Sequence, residues 1–191
     1  DDKGITHASS TAPFSNGGCS LDLSLPVLER TLFHIDNAYY LPNLRVTGRV
    51  CKTNLPSNTA FRGFGGPQGV AAMENAIQEI AAKLKKDALE IRRANCYGSA
   101  DSPFAPANIV TPYEQTVKNN VLPTLLKQLT DESNYHARRS AIAAFNRRSH
   151  SHIKGLALTP VKFGISFTHK TLNQANSLVH IYTDGTVLVT G

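Results

Sequence analysis

Apolar residues recur along the chain with two different periods. Leu25, Leu28, Leu32 and Ile35 fall at helical spacing after Asp22, a residue suited to cap, and predict a helix over Leu23 to Phe33 with Pro26 in its first turns. Beyond Pro42, which imposes an extended turn, the period becomes two. Leu44, Val46, Gly48 and Val50 alternate with Arg45, Thr47, Arg49 and Cys51, predicting a strand with one buried face from Leu44 to Thr53. A glycine-rich turn follows. Val70, Met73, Ile77, Ile80, Ala81 and Leu84 then make an apolar stripe of about four turns, opening at Pro67, a residue favoured at the first helical position. Asp87 caps a second, shorter helix over Ala88 to Asn95, with Leu89 and Ile91 inward, Arg92 and Arg93 near its C-terminal end, and Gly98 closing it.

Residues 1–20, rich in Ser, Thr, Gly and Asn, read as an irregular or strand-edge lead-in. Residues 98–112 hold Gly98, Pro103, Pro106 and Pro112 with little periodicity and read as a linker. Two helices are predicted next, Tyr113 to Thr130, interrupted by Pro123, and Ser133 to Arg148, carrying Ala137, Ala141, Ala144 and Phe145 among basic residues. Strands are predicted over Gly155 to Ser166 and Leu172 to Tyr182, and Asp184-Gly185 signals a two-residue hairpin into Val187-Leu188-Val189. The fold class is α+β in two subdomains, 1–98 and 112–191, joined by the linker 99–111. A returning hairpin strand needs partners to be stable, so the 191 residues are expected to be a segment of a longer polypeptide.

Composition narrows the functional classes. Hydrophobic residues make up 41% of the chain, enough for a core at this length, which excludes disorder as its main state. No uncharged apolar run approaches the ~20 residues a membrane helix requires. The three cysteines, Cys19, Cys51 and Cys96, lie too far apart for a metal clip, which points to a reducing compartment and a cytoplasmic location. A net charge of +6 fits an anionic cofactor, a nucleic acid or no charged partner.

Two stretches carry candidate chemistry. In Phe61-Arg62-Gly63-Phe64-Gly65-Gly66-Pro67-Gln68, three glycines admit close backbone approach to a ligand, and the following helix offers free N–H groups and a positive dipole end to an anion. Arg62 adds a planar donor fork, and Phe61 and Phe64 add two rings. The same residues also describe a tight turn whose phenylalanines plug the core, and the spacing matches neither common nucleotide motif. In Lys162-Phe163-Gly164-Ile165-Ser166-Phe167-Thr168, the aromatic–hydroxyl pair suits stacking on a planar heterocycle and bonding its edge, or an ordinary strand end.

Together these stretches resemble one family, the molybdenum hydroxylases, and within it the molybdopterin-binding part of the xanthine dehydrogenases. The resemblance covers nearly the whole chain. It runs through Leu28-Glu29-Arg30, Tyr39 to Arg45, Cys51 to Ala60, the Phe61 to Gln68 loop, Ile91 to Asn95, Tyr135 to Arg138, Lys162 to Thr168 and Leu172 to Ala175. It implies that Arg62, Gly63 and Gly65 bind the cofactor, with Arg62 beside the metal without ligating it. It also implies that Phe64, Phe167 and Thr168 bind the substrate, the two rings enclosing a flat purine and Thr168 bonding it.

By the same resemblance the activity is hydroxylation of hypoxanthine or xanthine to urate with water as oxygen source. The cofactor is molybdenum–molybdopterin, and electrons leave through 2Fe-2S clusters and FAD to NAD held on other segments or subunits. The partners implied are the purine, the remaining segments or subunits and further copies of the complete enzyme, with no nucleic acid and no membrane. The family's catalytic glutamate and its substrate-orienting glutamate and arginine are placed outside these residues, so no residue here is assigned as the base. The segment alone is therefore expected to be inactive, and Glu74, Glu79 and Glu90 are read as solvated helix residues. The Arg138, Arg139, Arg147, Arg148 cluster reads as a solvated helix face, and His150 and His152 lack further ligands at metal spacing. An aldehyde oxidase of the same family is the alternative, although Gly65-Gly66-Pro67-Gln68 and the Phe167-Thr168 pair favour the purine enzyme. A non-catalytic module that retains the loop is the other.

Overall fold

In the computed structural model, which describes residues 1–191, the first half of the chain is organised around a close helix pair. Helix α1 (Ser24–Phe33) lies against α2 (Gly66–Leu84), and Gly69 permits the contact, because a β-carbon there would stand 2.5 Å from the Thr31 carbonyl oxygen. The predicted stripe of α2 is buried at Met73, Ile77 and Ala81. It packs with Leu89 and Ile91 of α3 (Ala88–Asn95) and with Tyr39, Leu41 and Cys96 in one core that also reaches Leu126, Tyr135 and Leu158. Asp87 caps α3 as expected, accepting from Leu89 N–H at 2.8 Å, and its carboxylate also accepts from Tyr135 Oη and Arg139 Nε. Asp22 does not cap α1. Its φ is +40° and Leu23 holds the N-cap position, with no side-chain bond to the helix.

Glu74 is not solvated. Its carboxylate accepts from Arg92 Nε at 2.8 Å, Asn37 Nδ2 at 2.9 Å and Tyr39 Oη, and the Arg92 side chain is only 3% exposed. A helical position one residue from the buried stripe reads as a boundary site, and only the packing of α3 against α2 turns it inward.

The predicted strand from Leu44 splits in two. β3 (Leu44–Val46) pairs in parallel with β1 (Ser9–Thr11), and β4 (Arg49–Lys52) pairs in parallel with β2 (Phe14–Gly18). The break falls at Thr47-Gly48, where the backbone passes so near α1 that an added β-carbon would meet Leu28 and Leu32 at 3.0 Å. Residues 1–20 thus supply two edge strands.

In the second half, residues 99–111 form a hydrogen-bonded connector. Ser99, Ser102, Asn108 and Thr111 are buried, and Asn108 Nδ2 donates to the Ser99 carbonyl at 2.8 Å. Helix α4 spans Leu122–Glu132 instead of beginning at Tyr113. Pro123 sits in the first turn, where its missing N–H costs nothing, whereas a helix running through it from Tyr113 would lose a backbone hydrogen bond there. Helix α5 (Tyr135–Arg148) buries only Tyr135 and leaves Arg138, Arg147 and Arg148 in solvent, while Arg139, expected on the same solvated face, turns to Asp87.

Residues 155–166 form no regular element and have no strand partner, contrary to the predicted strand. The next predicted strand is shorter than expected. A 3-10 turn over Lys170–Leu172 precedes β5 (Leu178–Ile181), which pairs antiparallel with β6 (Val187–Thr190). Tyr182 N–H bonds the Thr186 carbonyl, so the loop holds Thr183, Asp184 and Gly185 and has three residues, with Gly185 at φ +87°. No helix is long and apolar enough to cross a membrane.

Candidate functional site

The glycine loop is shaped first by its own fold. Gly63, Phe64 and Gly65 have φ values of +91°, +53° and +102° in succession. Gly65 is pressed onto α1: its carbonyl accepts from Thr31 Oγ1 at 2.9 Å, and a β-carbon would lie 2.0 Å from the Val27 carbonyl oxygen. This close approach accounts for Gly65 without a ligand. What remains without a partner includes Arg62 and two backbone donors, one of them on the buried Gly65. Arg62 is exposed and has neither a hydrogen bond nor an ion pair, and the N–H groups of Gly65 and Gln68 find no acceptor at the start of α2. Phe61 does not plug the core, being 83% exposed.

The second stretch is held by side chains instead of a neighbouring strand. Asn37 Nδ2 donates to the Pro160 carbonyl at 3.0 Å, and Asn37 Oδ1 accepts from Lys162 N–H at 3.2 Å. His34 Nε2 accepts from Gly164 N–H at 3.0 Å. Arg30 donates through Nη1 to the Gly164 carbonyl at 2.9 Å and through Nη2 to the Ser166 carbonyl. Phe163 stacks obliquely on His34, 4.8 Å between ring centres, and lies against Gly66. Lys162 reaches back to the buried Asp36 carboxylate and to Tyr113 Oη.

This clamp carries Phe167 to Phe64. The two ring centres stand 5.2 Å apart at 50°, joining residues from opposite halves of the chain. The rings pack on each other and leave no slot between them. Space opens beside them instead, in a cleft of about 430 Å³ lined by Arg30, His34, Tyr113, Phe167, Thr168 and Lys170 among others. Two buried polar atoms in this region lack any partner, Arg30 Nε and Thr168 Oγ1. An unpaired buried donor costs about 1–3 kcal/mol, so each of these atoms calls for a polar partner. The predicted substrate set Phe64, Phe167 and Thr168 is therefore brought together. Phe167 and Thr168 line the cleft, Phe64 meets it only through its contact with Phe167, and Arg62, Gly63 and Gly65 do not line it.

Sequence reasoning missed Arg30 and His34, both of which line the cleft. A signal was present: Arg30, His34 and Asn37 recur at i, i+4 and i+7, a polar stripe on one face of the helix and its exit turn. Burial pushes the His34 imidazole below its ordinary value, and the positive Arg30 and Lys162 add to that, while Asp36 and the Arg30 carbonyl oppose it. Burial raises the Asp36 carboxyl, and Lys162 and the Tyr97 hydroxyl hold it back. The structure contains no cluster of three or more metal-ligating side chains.

A family model described as a molybdopterin cofactor-binding domain matches residues 1–96, and a second model with the same description matches residues 128–191. The chain is 51% identical to xanthine dehydrogenase 1 of Arabidopsis thaliana, over 93% of this chain and 12% of that protein. It is 45% identical to a xanthine dehydrogenase of Dictyostelium discoideum, over 98% of this chain and 13% of that protein. It thus spans only 12–13% of these relatives. Among solved structures, an aldehyde oxidoreductase of Desulfovibrio desulfuricans superposes with a TM-score of 0.63 at 25% identity, covering 99% of this chain and 19% of that one. Quinoline 2-oxidoreductase of Pseudomonas putida shares the fold, with a TM-score of 0.61 at 23% identity over 78% of this chain and 19% of that one.

Proposed function

Because the chain belongs to the molybdopterin cofactor-binding domain family, we propose that it forms part of the cofactor and substrate pocket of a xanthine-hydroxylating molybdenum enzyme. The carrying observation is the buried, unpartnered Thr168 hydroxyl beside the Phe64–Phe167 contact and the Arg30 guanidinium. An aromatic wall, an unpaired hydroxyl and an unpaired guanidinium N–H suit a flat heterocycle with polar edges. The relatives named xanthine dehydrogenases support a purine as that heterocycle.

The free donors on the loop fit the anionic part of the cofactor. Arg62, with the unpaired N–H groups of Gly65 and Gln68 at the N-terminus of α2, would hold it, and Gly63 keeps the backbone close. When bound, molybdenum–molybdopterin supplies the oxidising centre at which a ring carbon is hydroxylated with water as oxygen source. The chain's own residues orient the heterocycle: Phe64 and Phe167 fix its plane, and Thr168 and Arg30 fix its edge. Since the two rings touch, a ligand takes the cleft side of Phe167 or parts the rings. In this reading 2Fe-2S clusters, FAD and NAD belong to other segments or subunits, the complete enzyme is a cytoplasmic homo-oligomer, and residues 1–98 and 112–191 belong to two cofactor-binding subdomains.

The test uses the cofactor-loaded protein carrying Phe64→Ala, Phe167→Ala or Thr168→Ala, assayed with xanthine and with a small aldehyde that needs no stacking. Loss of ring contact and alignment predicts a fall of about tenfold or more in kcat/KM for xanthine and a smaller one for the aldehyde. Equal losses would reduce these residues to supports of the fold. Efficient aldehyde turnover with none of xanthine would favour the aldehyde oxidase, and failure to bind molybdenum would favour a non-catalytic module.

A further inference from the structure

The segment that presents Phe167 and Thr168 has no strand beside it, so what holds it sets where those residues stand. Five of its backbone groups between Pro160 and Ser166 go to three side chains on one stripe, Arg30, His34 and Asn37. Arg30 and Asn37 keep the same donors and acceptors throughout the physiological pH range. His34 does not. Its Nδ1 lies 2.8 Å from the Arg30 carbonyl oxygen, a contact that requires Nδ1 to carry the proton. Nε2 is then bare, and it accepts from Gly164 N–H at 3.0 Å. Both ring nitrogens are committed, and the ring is neutral.

We infer that His34 is a positioning residue: in its neutral Nδ1–H form it anchors the Phe167–Thr168 segment through Gly164, and a second proton releases that anchor.

Protonation would set Nε2–H against Gly164 N–H, two donors facing each other, with the ring buried and Gly164 at the exposed wall of the cleft, so the bond between them is lost. The charged groups around the ring agree with the neutral form. Arg30 on α1 and Lys162 on the facing segment are both positive, and Asp36 on the exit turn, the one nearby carboxylate acting on the ring, is already engaged by Lys162 and Tyr97. Lys170 from the 3-10 turn and Tyr113 from the connector line the same cleft, while α2 offers Gly69 to the backbone at His34. Gly164 lies three residues before Phe167. Arg30 still holds the carbonyls of Gly164 and Ser166, so releasing the N–H loosens the segment and tilts the Phe167 ring without unfolding the chain. The effect on substrate rests on the heterocycle site proposed above; the clamp itself does not.

Hydrogen–deuterium exchange of the full, cofactor-loaded protein reads the clamp directly, with exchange corrected for its intrinsic pH dependence. Between about pH 7.5 and about pH 5, protection of the Gly164 amide should fall about tenfold in the native protein. His34→Gln, which keeps an acceptor near the position of Nε2 but does not titrate, should hold protection constant over that range. His34→Phe, a ring without an acceptor, should be open at both ends of it, and its KM for xanthine should rise while its molybdenum content stays unchanged. Protection in the native protein that does not change with pH, or an equal acid loss in His34→Gln, would overturn the inference. Protection that behaves as expected while KM for xanthine ignores both variants would leave the clamp standing and refute the heterocycle site.

Discussion

Lys162→Met tests the buried charge that ties the site to the core. Asp36 is 1% exposed, and its carboxylate accepts from Lys162 Nζ and, at 2.7 Å, from Tyr97 Oη. Methionine keeps the aliphatic stem and removes the cation, leaving a buried carboxylate with one neutral donor. Removing one partner of a buried pair costs about 3–5 kcal/mol. Proton uptake sets a ceiling. For a carboxyl of ordinary value 3.8, taking a proton at pH 7 costs about 4 kcal/mol at about 1.36 kcal/mol per pH unit. The expected loss at pH 7 is therefore about 3–4 kcal/mol. In the variant the folded state binds a proton that the unfolded state has released, so stability rises as pH falls toward 4 and declines as pH rises. Urea denaturation followed by far-ultraviolet circular dichroism at a series of pH values measures both features. At about 2–4 °C per kcal/mol, the melting temperature at pH 7 should drop by about 10 °C. Asp36→Asn combined with Lys162→Met should recover most of the loss. A deficit below about 1 kcal/mol that does not vary with pH would refute the buried-pair reasoning.

Three further outcomes are expected. Asp87→Ala should cost about 1–2 kcal/mol, since it removes the cap of α3 together with the bonds to Tyr135 and Arg139. Burial alone would raise this carboxyl, but Leu89 N–H, Tyr135 and Arg139 hold it below its ordinary value. Its contribution is thus present above about pH 4 and lost as pH falls further, which the difference between native and variant titrations would show. Gly65→Ala should destabilise by about 2 kcal/mol or more by thermal melting, given φ +102° and a β-carbon 2.0 Å from the Val27 carbonyl; an unchanged melting temperature would mean the loop is not pinned to α1. Arg62→Ala should leave stability within about 0.5 kcal/mol, because the side chain is exposed and unpaired, yet lower molybdenum content after purification; normal content with a normal rate would remove Arg62 from the cofactor site.

The amino-acid order alone determined what depends on neighbours within a few turns. The stripe of α2, the Asp87 cap of α3 and the glycine loop before Pro67 are legible, because helix periodicity, capping and turn chemistry are local properties, and Asp184-Gly185 is legible as a turn although its loop has three residues and not two. Long motifs also marked Phe64, Phe167 and Thr168 as a set. Tertiary structure decided whatever needs a partner distant in sequence. The stretch from Leu44 reads as one strand, but its two halves pair with different N-terminal strands, and no pattern inside the stretch encodes where those partners lie. Gly155 to Ser166 has the composition of a strand, yet from Pro160 onward it is held by Arg30, His34 and Asn37, more than 120 residues earlier. Glu74 and Arg92 look like surface charges on two separate helices until α3 folds onto α2 and removes both from water. A side chain's own environment is set by whichever surface closes over it. Burial, the fixed tautomer of His34 and the contact between Phe64 and Phe167 therefore exist only once the two halves of the chain have met.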